Sequence, residues 1–199
     1  AKPDVIVLLG DYVIQTVAGG RFMPPEKLAV LLKELKAPLG VYAVLGNHDW
    51  WLDGPRVRRA FAAEGIEVLE NEAVRLTRGG RAFRVLGLAD HIERKPDPGP
   101  ALAGVPDTEP VIALIHEPDY FPYITDRIAL TLAGHTHGGQ VRLPFIGSPI
   151  VPSDFGQRYA RGLIKEGEKQ LFVTTGVGTS IIPVRFGVTP EYVILTLRR

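Results

Sequence analysis

Four stretches of this chain, residues 5–9, 41–45, 111–115 and 128–133, are almost unbroken runs of Val, Ile, Leu, Ala and Tyr. Apolar runs of that length without polar alternation are the pattern of strands covered on both faces, as in parallel sheets. Between the first two, Pro24-Pro25-Glu26 opens a helix that carries Leu28, Leu31, Leu32 and Leu35 on one face and stops before Pro38. A second helix is predicted after Asp53-Gly54-Pro55, with Val57, Ala60, Phe61 and Ala62 apolar. Strand-like segments follow at 66–69, 73–77 and 82–88, the last two joined by a turn at Gly79-Gly80. Residues 95–110 are rich in Pro and Gly and predict a surface loop with at most one helical turn. Beyond Gln140 the pattern changes to short strands at 159–164, 170–175 and 192–197. Alternation of strand and helix in the first half and strands in the last third predict an α/β fold, two packed mixed β-sheets flanked by helices.

Composition narrows the function classes. A length of 199 residues fits a single domain over 1–199. Lys and Arg number 23 against 22 Asp and Glu, so no nucleic-acid-binding surface is advertised and any affinity for a phosphorylated substrate has to be local. With no cysteine there are no disulfides, no thiolate metal sites and no cysteine nucleophile. No run reaches the length of a transmembrane helix.

The chemistry sits where the apolar runs end. Gly10-Asp11 closes the first and Gly46-Asn47-His48-Asp49 the second. His116-Glu117-Pro118 follows the third, and Gly134-His135-Thr136-His137-Gly138-Gly139-Gln140 the fourth. Four of the five histidines fall in these motifs, which makes scattered surface roles an inadequate account of them. One carboxylate, one amide and several imidazoles, without thiolate, form the donor mix of a Zn, Mn or Fe site. Loops beyond the carboxyl ends of strands are also where open α/β sheets place their sites.

These motifs, in this order, resemble those of the calcineurin-like metallophosphoesterases, whose generic pattern is D-x-H, G-D, G-N-H-[DE], H and G-H-x-H. Gly138-Gly139-Gln140, Gly176-Val177-Gly178-Thr179-Ser180, Pro183-Val184-Arg185-Phe186-Gly187 and Pro190-Glu191 resemble the YaeI/YkuE-like bacterial branch. The resemblance implies a dinuclear centre of two divalent ions (Mn, Zn or Fe) that clamps a phosphoryl group and activates a bridging hydroxide. It implies that Asp11, Asn47, His116 and His135 hold one metal and that His137 joins Asp11 at the other. His48 is expected as general acid or transition-state stabiliser. Asp49 has two open readings, orienting the His48 ring catalytically or serving as a helix N-terminal or turn residue.

No D-x-H occurs at the required position. The expectation is therefore an N-terminally truncated domain, first strand missing, whose missing strand and ligands lie upstream or are supplied by another chain. Such a chain is expected to hold at most one metal tightly. An upstream region would also decide between a cytoplasmic and a membrane-associated protein.

The function this implies is hydrolysis of phosphodiester or pyrophosphate bonds in a phosphorylated small molecule or lipid. The alternatives are a lipid-sugar pyrophosphatase and a catalytically incomplete metal-binding scaffold. Tyr12, Trp50 and Trp51 are candidates to line the mouth, with anchoring roles as the competing reading. Gln140 and Arg142 are candidate substrate contacts, and Arg185 is read either as a phosphate ligand or as a structural partner of Glu191. His91 is expected outside the site, and the apolar segments 145–147 and 150–152 form a flap or a packed loop.

Overall fold

The computed structural model describes residues 2–198. Strands β1 (Ile6–Leu9), β2 (Val41–Val44) and β3 (Glu67–Val68) form a parallel sheet in the order β1-β2-β3. Helices α1 (Pro25–Leu32) and α2 (Asn47–Ala63) make its crossovers. The second sheet contains β4 (Glu72–Arg78), β5 (Arg81–Gly87), β6 (Val111–Leu114), β7 (Leu130–Ala133), β8 (Gly162–Glu166) and β9 (Lys169–Val173). Its order is β4-β5-β6-β7-β9-β8, with antiparallel hairpins at both edges and parallel strands between them. The α/β architecture of two packed sheets with helices outside is thus present; the first sheet is parallel throughout and the second is mixed.

The strands carry no polar alternation because each central strand is covered twice. Tyr42 and Val44 face the opposing sheet, where they meet Val85, Ile112, Leu114 and Leu132. Val41, Ala43 and Leu45 face the other way, onto Ala29, Val57, Ala60 and Phe61 of the helices. In β6 the same period of two sends Val111 and Ala113 outward, with Ile115 just beyond the strand, onto Phe121, Ile128 and Tyr159. Each large side chain so buried contributes about 1.5–3 kcal/mol.

Four local expectations change. In α1 the buried stripe is Pro25, Ala29 and Leu32, while Leu31 and Leu35 are exposed. The small Ala29 lets α1 approach α2, and that contact selects the face. Helix α2 begins at Asn47, directly after Gly46, so Asn47, His48 and Asp49 form its first turn. The helix is broken at Asp53 (φ 179°, ψ 87°), and the expected start survives as a second cap, Asp53 Oδ1 accepting the Arg56 amide at 3.0 Å. Finally, residues 192–197 form no strand: they pair with no neighbour, and a strand without a partner leaves its ladder unmade. The expected strand at 159–164 begins only at Gly162, because Gly156–Tyr159 is a turn of 3-10 helix.

The parallel register brings the C-terminal ends of β1 and β2 to one edge of the first sheet, and those of β6 and β7 to one edge of the second. The two edges meet where the Leu9 carbonyl accepts a bond from His116 Nδ1 at 2.6 Å. No helix of the described residues is long and apolar enough to cross a membrane.

Candidate metal centre

Asp11 follows β1, Asn47 follows β2, His116 follows β6 and His135 follows β7. Asp11, His116 and His135 each offer a ligand atom, and all three atoms lie within 4.8 Å of one another. His116 Nε2 is 3.0 Å from Asp11 Oδ2 and 3.1 Å from His135 Nδ1. The Leu9 carbonyl can only accept, so His116 Nδ1 carries a proton and donates it there. Nε2 is left as the nitrogen that faces the cluster.

Charge in the cluster follows from burial and contact. Burial opposes the charge on Asp11, but the His116 imidazolium outweighs it and holds the carboxyl at about 2. Burial likewise opposes a charge on His116, yet Asp11 raises it to about 10. For His135, burial and then the His116 charge act together and lower it to about 3, leaving a neutral imidazole with a lone pair to give. In the metal-free chain, therefore, a proton on His116 Nε2 sits among the three donors.

Asn47 completes the set by a different signal. The residue is buried at 2% exposure, and its Oδ1 has no hydrogen-bond partner. An orphaned carbonyl oxygen inside a protein is costly, and a cation is the partner that removes the cost. Gly46 holds the space open: a Cβ there would lie 2.4 Å from Asp11 Oδ1 and 2.7 Å from His116 Nε2. The residues present thus fit a divalent ion.

Backbone strain is concentrated in the same place. Seven non-glycine residues among those described have left-handed φ, and four of them belong to the motifs: Asp11 (56°), His135 (65°), His137 (50°) and Gln140 (56°). His137 stands outside the three-residue cluster, its Nδ1 3.4 Å from Arg185 Nη2. Burial and the Arg185 charge lower its pKa.

Asp49 does not orient the His48 ring. Its carboxylate accepts the amides of Asp11 (2.9 Å), Tyr12 (2.9 Å), Val13 (3.2 Å) and Gly46 (3.0 Å), so it straps the two ligand loops together. The His48 ring instead packs edge-on against Trp51, with centroids 4.6 Å apart, and its Nδ1 lies 3.4 Å from Gln15 Oε1. Gln15 Nε2 donates to the His48 carbonyl at 3.0 Å. Since that carbonyl can only accept, the amide orientation is fixed, Oε1 faces the ring and Nδ1 must carry the proton. Nε2 remains for proton transfer.

Of the other candidates, Trp51 is half-exposed beside His48, whereas Trp50 packs into the helix layer under the Arg94 guanidinium. Tyr12 is structural, its hydroxyl donating to the Val44 carbonyl and its ring on Phe61. Gln140 is spent on the backbone of Ser180 and Ile182. Arg142 is exposed, and His91 packs on Tyr120 and Tyr123. In the 145–150 segment Phe145, Ile146 and Ile150 are exposed, while Ser148 between them is buried and donates to the Gly138 carbonyl at 2.7 Å. Arg185 has no bond to Glu191, which instead accepts from Thr174 and Thr175. Sequence reasoning missed Gln15 and the buried carboxyl pair behind His116. In that pair burial, reinforced by Asp90, raises Glu117 to about 9. The acid next to His116 in His116-Glu117-Pro118 was the available signal; Gln15 had none.

The donor set at the facing edges of two sheets is that of a divalent-metal centre. Residues 1–139 match the model of the family described as Calcineurin-like phosphoesterase, and the chain belongs to that family of metal-dependent hydrolases. Among its relatives is the metallophosphoesterase YkuE of Bacillus subtilis (strain 168), 34% identical over 201 residues, covering all of this chain and 69% of that one. Phosphodiesterase YaeI of Escherichia coli (strain K12) is 32% identical over 200 residues, covering 98% of this chain and 71% of its own. The UDP-2,3-diacylglucosamine pyrophosphatase LpxG of Chlamydia trachomatis serovar D is 26% identical over 247 residues, covering 98% and 74%.

Proposed function

We propose that this chain hydrolyses a phosphodiester or pyrophosphate bond in a phosphorylated small molecule or lipid, with two divalent ions in the working centre. In this reading Asp11, Asn47, His116 and His135 hold one ion, and His137 with Asp11 belongs to the second. Bound there, such ions supply polarisation of the phosphoryl oxygens and a nucleophilic water at neutral pH. The observation that carries the reading is the orphaned, buried Oδ1 of Asn47 beside the Asp11–His116–His135 cluster.

The chain's own residues do the rest. Asp11 and His135 supply lone pairs, and His116 does so once Nε2 has given up its proton. His48 stands outside the cluster, and as the imidazolium it hands its Nε2 proton to the departing oxygen and keeps the Nδ1 proton that Gln15 Oε1 holds. Trp51, packed against His48, is exposed and gives the site an apolar edge, which favours a substrate with an apolar group attached to its phosphate.

Hydrolysis of bis(p-nitrophenyl) phosphate with added Mn²⁺ tests the reading, with Asn47→Ala and His116→Ala as controls. The expected result is metal-dependent turnover abolished in both variants. Stoichiometric metal binding without turnover of diester or pyrophosphate substrates would overturn it in favour of a metal-binding scaffold.

A further inference from the structure

We propose that Arg185 binds the substrate's phosphoryl oxygen, presenting Nη1 to it beside His137. This rests on the phosphoesterase reading above.

A guanidinium has five N–H donors in a rigid fork. In Arg185 all but those of Nη1 are committed to backbone. Nε donates to the Gly178 carbonyl at 2.9 Å, and Nη2 to those of Thr175 (2.7 Å) and Gly176 (3.2 Å) and again to Gly178. Nη1 is buried and has no partner at all.

No carboxylate forms an ion pair with Arg185 among the described residues, and Glu191 acts on it only from a distance. Glu191, the acid nearest in sequence, is bonded to Thr174 Oγ1 at 3.2 Å and the Thr175 amide at 2.9 Å. A guanidinium nitrogen buried with its pair of N–H bonds unmade is unfavourable unless an acceptor is meant to arrive.

Its placement says which acceptor. Thr175 lies just past the C-terminal end of β9, which pairs with β7, the strand that delivers His135 and His137. Nη2 is 3.4 Å from His137 Nδ1, which puts the guanidinium on the side of the cluster where His137 stands. The three carbonyls hold the fork while leaving Nη1 without a partner. That geometry suits one non-bridging phosphoryl oxygen, approached end-on, with a positive charge that does not depend on metal occupancy.

The competing account is that Arg185 merely ties the 175–178 turn. Arg185→Lys and Arg185→Gln separate the two. Inorganic phosphate binding to the Mn²⁺-loaded chain is measured by calorimetry, alongside KM and kcat for the diester, the Mn²⁺ activation constant and the melting temperature. The proposal expects phosphate affinity to fall about tenfold to a hundredfold in both variants. KM should rise by a similar factor and Mn²⁺ activation should stay within about twofold. Unchanged phosphate affinity in Arg185→Lys would overturn it, as would a loss that follows Mn²⁺ affinity or melting temperature. Because phosphate binding needs no turnover, an inactive chain would defeat the phosphoesterase reading while leaving this measurement informative. In Arg185→Ala, recovery of phosphate binding on adding methylguanidinium would support the assignment; if that variant does not fold, Lys and Gln decide.

Discussion

The Asp49 carboxylate accepts the backbone amide of Asp11 at 2.9 Å, and with it those of Tyr12, Val13 and Gly46. An acid in the first turn of α2 thereby fixes the loop after β1 to the loop after β2. The distance between Asp11 and Asn47 is set by that strap before any ion arrives.

Replacing Asp49 with Ala leaves four amides without their acceptor, at about 1–3 kcal/mol for each that stays buried and unsatisfied. We expect Asp49→Ala to lose at least about 3 kcal/mol of unfolding free energy in urea and to weaken metal binding as a consequence. Burial raises Asp49 itself to about 7, so its removal should also alter the pH–rate profile near neutrality. A variant with near-normal stability and unaltered metal binding would overturn the strap.

Asn47→Ala should behave in the opposite way. Its Oδ1 has no partner to lose, so deleting it should leave the metal-free chain as stable as before or slightly more so. Metal affinity should nevertheless drop about tenfold or more, the scale of losing a coordinating group or its support. Calorimetric titration with Mn²⁺ beside thermal melts of the metal-free protein checks both halves. Loss of stability with intact affinity would make Asn47 structural.

Gly46 gives a purely steric prediction. Its φ is −109°, a value any residue adopts, so Gly46→Ala carries no backbone penalty. The added Cβ would meet Asp11 Oδ1 at 2.4 Å and His116 Nε2 at 2.7 Å. We expect a folded protein, judged by circular dichroism, whose Mn²⁺ binding is lost. Unaltered binding would mean that the ligands are not held where they stand.

The metal-free cluster also sets a pH dependence. His116, raised to about 10 by Asp11, carries its Nε2 proton at neutral pH, and an ion has to displace it. Apparent metal affinity should therefore rise about tenfold per pH unit between pH 6 and 8, with one proton released. Calorimetry in buffers of different ionisation enthalpy counts that proton. Stability of the metal-free chain runs the other way. The folded-state pKa of His116 is raised, so its contribution is complete below the unfolded value near 6.5 and is lost as pH climbs through about 10. Asp11, held at about 2, loses its contribution as pH falls below about 4. Metal-free stability should peak between those limits.

Which residues meet at the cluster was legible because each ligand follows an apolar run, and parallel strands end at a common edge. The same logic located the β6 and β7 loops and the fold class. What escaped was whatever depends on partners remote in sequence. Asp49 is a plausible orienter of its neighbour until the amides of residues 11–13 are seen converging on it. Leu28, Leu31, Leu32 and Leu35 make a reasonable stripe, but it is Ala29 with Leu32 that packs into the core, because closeness to α2 outweighs side-chain size. Residues 192–197 read as a strand on composition alone, yet strand formation is a property of pairs.

Gln15 and His48 supply the last test. The Gln15 amide holds His48 Nδ1 in its protonated form and leaves Nε2 to deliver a proton to the leaving oxygen. General-acid assistance matters in proportion to how poor the leaving group is. His48→Ala should therefore slow hydrolysis of an alkyl phosphodiester by about 10²–10⁴-fold, with much less effect on a nitrophenyl ester, whose phenolate departs unaided. Mn²⁺ stoichiometry should not change, since the ring stands outside the ligand cluster. Gln15→Ala should act in the same direction more weakly, by releasing the tautomer and the ring. Equal losses on both leaving groups would place His48 at the phosphoryl oxygens as a transition-state stabiliser instead, and a loss of bound metal would make it a ligand.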